Sequence, residues 1–126
     1  MTVIALGLDL VEVDRIRALL EKHGDRFRER TFTKGECAYC DGNADPAIHF
    51  AARFAAKEAV AKALGTGFAE GVNWSDIEVT RSEAGVPGVQ LHGGAAARAE
   101  QLGIKRWMIS LTHTASGAAA SVVALG

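Results

Sequence analysis

Apolar and polar positions follow two rhythms along this chain, and the changes of rhythm mark its elements. Residues 3–8 are a short apolar run that predicts a buried strand. Val13, Ile16, Leu19 and Leu20 then recur at helical spacing, with Arg15, Arg17 and Glu21 off that face, which predicts a helix ended by Gly24. The stretch 41–46, Asp-Gly-Asn-Ala-Asp-Pro, is rich in turn formers and predicts a loop. Good helix formers fill 47–64 without an internal glycine or proline, until Gly65 stops them. Residues 77–80 and 89–91 predict a hairpin around Glu83-Ala84-Gly85. A short helix over 95–102 has Gly103 at its C-cap, and strands over 107–112 and 118–125 join at Ala115-Ser116-Gly117. Adjacent strand pairs with helices set between them predict an α+β class: one domain, 1–126, with a mainly antiparallel sheet packed against helices.

Composition sharpens that expectation. The chain has 126 residues, of which 23 are alanine, so its 48% hydrophobic share fills little core volume. A chain of this length buries only about two-thirds of its unfolded surface, which favours an oligomer that completes the core. The net charge of -1 argues against wholesale binding to nucleic acid or to an anionic membrane surface. No run reaches the roughly 18 apolar residues of a membrane span. The first residues lack a positive n-region and meet an acid at Asp9, so they do not read as a signal peptide. Two cysteines make no disulfide framework, which points to the reducing cytoplasm.

Several residue groups could carry chemistry, each beside a plainer reading. Asp9 stands where a strand gives way to a helix: with Glu12 three residues on it could be a helix N-cap in a capping box, or a metal-ligating carboxylate on a strand end. Phe50, Phe54, Glu58 and Lys62 form one i+4 row, so Glu58 and Lys62 could be an ordinary helical ion pair. With Arg53 and Lys57 nearby, the same row could be a carboxylate among three cations, suited to Mg²⁺ and phosphate. Gly65-Thr66-Gly67 is a C-cap and turn that also permits close approach of a phosphate. Between residues 15 and 34 seven cations face three acids, a local +4. That stretch is either a solvated face or a docking surface for an acidic partner, with Phe27 and Phe32 as apolar anchors. Cys37-Ala38-Tyr39-Cys40 lacks the second pair that a zinc site wants and reads as small residues on a short helix. His113 ends an apolar strand before a turn, where functional groups emerge, although a structural hydrogen bond would also place it there.

Together these pieces resemble the holo-acyl-carrier-protein synthase family, the small bacterial phosphopantetheinyl transferases. Residues 7–15 (Gly-Leu-Asp-Leu-Val-Glu-Val-Asp-Arg) are similar to the family's N-terminal motif. Residues 50–67, from Phe50-Ala-Ala-Arg-Phe to Gly65-Thr66-Gly67, are similar to its signature helix and loop. Ser110-Leu-Thr-His-Thr114, followed by residues 118–123, resembles its C-terminal hairpin. The resemblance implies the 4'-phosphopantetheinyl transferase fold. It also implies Mg²⁺-dependent transfer of 4'-phosphopantetheine from coenzyme A to a serine of an apo acyl carrier protein, with adenosine 3',5'-bisphosphate as the other product. Carried over, Asp9 and Glu58 would bind Mg²⁺, and Lys62 would neutralise developing charge and protonate the departing phosphate. Arg53, Gly65, Thr66, Gly67, Pro87, His113 and Thr114 would line the coenzyme A site. Arg15, Arg26 and Phe27 would hold the acidic carrier protein. The resemblance also implies a homotrimer with active sites between subunits. It leaves the general base open among a metal-bound water, Glu58 and His113. A departure is the turn Gly85-Val86-Pro87, where many relatives carry a cation before the proline. A non-catalytic module that binds coenzyme A or a carrier protein is the competing reading, and the joint presence of Asp9, Glu58 and Lys62 favours the enzyme.

Overall fold

The computed structural model describes all 126 residues. Strand β1 (Val3–Glu12) leads into helix α1 (Val13–Thr31), a short helix α2 (Lys34–Asp41) and the long helix α3 (Pro46–Leu64). A 3-10 turn at Trp74–Asp76 precedes the hairpin β2 (Ile77–Arg81) and β3 (Pro87–Leu91). Helix α4 (Gly93–Leu102) and strands β4 (Arg106–His113) and β5 (Gly117–Leu125) complete the chain. The strands form two antiparallel sheets, β1-β5-β4 and β2-β3. The α+β class and the antiparallel pairing are therefore as the patterning implies.

Helix α3 is the core. From Phe50 to Leu64 only Glu58 and Lys62 escape burial. Its alanines bring it close to the inner face of the larger sheet, where Ala118, Ala120, Val122 and Ala124 are also buried. The closest approach is at Gly7: a Cβ there would lie 1.9 Å from the Ala59 carbonyl oxygen, so no other residue fits without moving the strand. Gly65 ends the helix in the left-handed conformation, at φ 78°.

Three details depart from the sequence reading. β1 runs to Glu12 rather than stopping at residue 8, because its pairing with β5 continues through Val11 opposite Ala118 and Glu12 opposite Gly117. Asp9 therefore lies inside a strand, and Glu12, not Asp9, is the N-cap residue of α1. Gly24 breaks α1 at φ 47° and ψ -121° but does not end it, for helix resumes to Thr31. Cys37 and Cys40 do sit on a short helix, where burial pushes the Cys40 thiol up to about 12.

The alternation along β1 leaves one face uncovered. Gly7 and Val11 point to α3, whereas Leu6, Leu8 and Leu10 stand 69%, 67% and 75% exposed on the other side. Met108 of β4 is exposed as well.

Candidate active site

Strand β1 and helix α3 bring Asp9, Glu58 and Lys62 together. Because Gly7 presses the strand onto the helix at Ala59, Asp9 arrives beside the turn that carries Glu58 and Lys62. The Lys62 ammonium donates to Asp9 Oδ1 at 2.9 Å and to the Leu8 carbonyl at 3.1 Å. The helical Glu58–Lys62 ion pair is thus replaced by a bridge between elements. That hydrogen bond holds Lys62 above the ordinary lysine range. Burial, and then the charge of Asp9, push the Glu58 carboxyl up, while Lys62 and Arg15 pull it partly back. The Arg15 guanidinium lies over the Phe54 ring at 5.4 Å, one helical turn before Glu58.

Two carboxylates whose charges repel each other fit a hard divalent cation, which relieves the repulsion. Mg²⁺ needs only one or two carboxylates when phosphate oxygens and water fill its remaining positions. The donor set here matches that demand.

The other two cations of the helix belong elsewhere. Lys57 is fully buried and pairs with Glu36 at 2.7 Å, and it also donates to the Trp74 and Ile77 carbonyls. Lys57 therefore does not join Glu58, because the two residues point to different sides of α3. Arg53 is 2% exposed, with its guanidinium 3.9 Å from the Tyr39 ring centre, and its Nε has no hydrogen-bond partner. The group of three cations around Glu58 is thus corrected to Lys62 and Arg15.

Around Arg53 a second group assembles from four elements. Arg81 of β2 lies 5.2 Å from the same Tyr39 ring and donates from Nη1 to the Gly85 carbonyl in the hairpin turn before Pro87. His49 meets Tyr39 edge-on at 5.8 Å and the ring of His113 at 5.5 Å. Thr114 caps the following turn, its hydroxyl accepting from the amides of Ser116 and Gly117. The Gly65-Thr66-Gly67 turn leaves α3 with both glycines at positive φ.

Past the Gly24 break, the second half of α1 lines a groove of about 670 Å³. Phe27, Phe54 and Trp74 form apolar walls, and Arg26 and Arg30, with Glu29 between them in sequence, form its charged edge. Phe32, expected as a second anchor, is 3% exposed and packs between Phe27 and Phe50 in the core. Its two aromatic neighbours, on α1 and α3, account for the difference.

Comparison with known proteins identifies the family. The model of the 4'-phosphopantetheinyl transferase superfamily matches residues 5–122. A holo-[acyl-carrier-protein] synthase of Solibacter usitatus is 48% identical over 121 residues, covering 96% of this chain and 97% of that one. One from Solidesulfovibrio magneticus is 50% identical over the same shares. The chain belongs to the holo-[acyl-carrier-protein] synthase family. It is an enzyme of the phosphopantetheinyl transferase class. Among solved structures, the Neisseria meningitidis holo-[acyl-carrier-protein] synthase aligns over 99% of this chain and 100% of its own, at 32% identity and TM-score 0.88. The Helicobacter pylori synthase in complex with coenzyme A aligns over 95% and 99%, at 28% identity and TM-score 0.85. The fold of this chain is that of these synthases.

Glu36, Tyr39, His49, Trp74 and Arg81 did not stand out in the sequence. Glu36 carried a readable signal, since Thr33-x-x-Glu36 is the capping-box pattern, and the reciprocal hydrogen bonds are present. The others are brought together by contacts between distant elements, and no local pattern announces them.

Proposed function

We propose that this synthase carries out Mg²⁺-dependent transfer of 4'-phosphopantetheine from coenzyme A to a serine of an apo acyl carrier protein, releasing adenosine 3',5'-bisphosphate. The observation that carries this reading is the juxtaposition of Asp9, Glu58 and Lys62 on β1 and α3. The Helicobacter pylori synthase described with coenzyme A supports the donor.

In this reading the serine hydroxyl attacks the phosphorus that bears the pantetheine arm, and the bond from that phosphorus to the oxygen bridging the two phosphates breaks. Asp9 and Glu58 would hold Mg²⁺ together with the diphosphate of coenzyme A. The metal, when bound, supplies electrostatic stabilisation of the charge that develops on those oxygens. Lys62, already fixed by Asp9, neutralises the departing phosphate and gives it a proton. The serine proton leaves to Glu58 or to His113, the two side-chain candidates for general base. Arg53, Gly65, Thr66, Gly67, Pro87, His113 and Thr114 line the donor site. Positioning and charge stabilisation suffice for such a transfer, so no covalent enzyme intermediate is required.

The carrier protein docks along α1. An acidic carrier meets Arg15 and Arg26, and Phe27 enters the interface beside Phe54, whose groove is apolar on its walls and carries Arg26 and Arg30 at its edge. The exposed stripe Leu6, Leu8 and Leu10 is covered by further copies of the chain, giving a homotrimer of the single domain 1–126 with active sites between subunits. No helix is long and apolar enough to cross a membrane, and we place the enzyme in the cytoplasm, in fatty acid biosynthesis.

Glu58→Gln tests the assignment, because it removes one carboxylate charge and keeps the shape. We expect a folded protein whose transfer rate falls at least about a hundredfold, in line with loss of a group that stabilises transition-state charge. Near-normal turnover with Mg²⁺ as the only metal would remove Glu58 from the mechanism.

A further inference from the structure

Helix α3 carries Glu58 and Lys62 near its end and then runs into the Gly65-Thr66-Gly67 turn. The end of a helix leaves its last carbonyls without partners inside the helix. Here the amides of Gly65 and Gly67 donate to the carbonyls of Lys62, at 3.0 Å, and Ala61, at 3.1 Å. The Leu64 carbonyl is satisfied from another element: Arg98, on α4, donates to it from Nε at 3.0 Å. Arg98 Nη2 reaches to 3.7 Å from where a Cβ on Gly65 would stand. Arg98 is half-buried and enters no ion pair, so its charge faces the negative end of the α3 dipole.

The start of α4 is pressed against the same segment. A Cβ on Gly94 would lie 2.0 Å from the Gly71 carbonyl oxygen, and Ala95 and Ala99 are buried. Residues 65–73 contain no helix or strand that could hold them from within. Glu70, a non-glycine residue, sits at φ 56°, a conformation that persists only where the surroundings over-determine it.

We propose that Arg98 is a positioning residue of the donor site: by capping α3 it holds Gly65-Thr66-Gly67 in the shape that receives coenzyme A. This inference rests on the reading of that turn as part of the donor site. A turn already set before the donor arrives needs no further ordering, whereas a loose one is ordered at the expense of affinity. Lys62 is held separately, by Asp9 and the Leu8 carbonyl on β1, so loss of Arg98 spares the transfer step and weakens the donor.

The test compares the wild type, Arg98→Met and Arg98→Lys, with coenzyme A and one apo carrier protein. Methionine keeps the packing of the aliphatic stem and removes every donor, while lysine keeps the charge and can still donate to one carbonyl. We expect Arg98→Met to raise KM for coenzyme A about fivefold, the scale of one net hydrogen bond, with kcat and KM for the carrier protein within about twofold. Arg98→Lys recovers part of that loss, and its own rise in KM decides the matter if the methionine variant does not fold. Amide exchange at Gly65 and Gly67 in the free enzyme should quicken about tenfold in Arg98→Met, and less in Arg98→Lys. An unchanged KM for coenzyme A, equal changes in all three constants, or unchanged exchange would overturn the proposal. A wild type that binds no coenzyme A in calorimetry would count against the donor reading, while the exchange would still decide whether Arg98 holds the turn.

Discussion

Glu36 and Lys57 form an ion pair with both side chains fully buried, at 2.7 Å. Glu36 also accepts from the amides of Thr33 and Val79, and Lys57 donates to two carbonyls, so the network is closed on both sides. It joins α2, α3 and β2 at one point, next to Glu58 in sequence but away from it in space. Glu36→Ala strands the Lys57 charge in the core, and we expect a loss of about 3–5 kcal/mol in urea unfolding. With its partner gone, Lys57 binds fewer protons folded than unfolded, so the variant's stability climbs as pH rises towards the ordinary lysine value of 10.5. A loss under about 1 kcal/mol, or stability falling with pH, would contradict this account. In the sequence Lys57 looked like another phosphate ligand, because a helical row shows spacing but not which neighbour each side meets.

Elements with local signals were the most legible. Helix α3 could be read from its formers and its closing glycine, and both hairpins from their turns. The extent of β1 could not, because it is set by pairing with β5, more than 100 residues later. The second half of α1 was also hidden: Gly24 is a break in the backbone, yet Phe27 and its neighbours find apolar partners in α3 and near Trp74, and the helix resumes. That half presents Arg26 and Phe27, while Arg15 presents its charge from the first half. Charge reversal in Arg26→Glu, exposed on the half of α1 away from Glu58, should weaken an acidic carrier much more than a donor bound at α3. We expect KM for the carrier protein to rise about tenfold or more, with KM for coenzyme A changing less than about threefold. Equal rises for both would argue against a docking face on α1.

At the scale of the whole molecule, alanine supplies most of the close packing, and the larger sheet keeps an apolar face of Leu6, Leu8 and Leu10 in the open. The sequence reading anticipated an oligomer from the small core but did not show which face would join. In the proposed trimer that face is the exposed leucine stripe, which the strand alternation leaves outward as Gly7 and Val11 turn inwards. Leu8→Glu places a charge in that interface. We expect light scattering to give three times the 13.3 kDa chain mass for the wild type and a smaller species for the variant, with transfer lost in parallel. A monomeric wild type would contradict the trimer. Asp9, Glu58 and Lys62 were readable at this scale because three separate segments of the chain match the family in order. The group around Tyr39 was not, since it forms only when four elements meet. The most direct measurement for the account is the intact mass of an apo acyl carrier protein after incubation with this enzyme, coenzyme A and Mg²⁺. The account predicts a gain of one phosphopantetheine that a chelator abolishes. An unchanged mass with several carrier proteins, while coenzyme A still binds, would contradict it and leave a binding module.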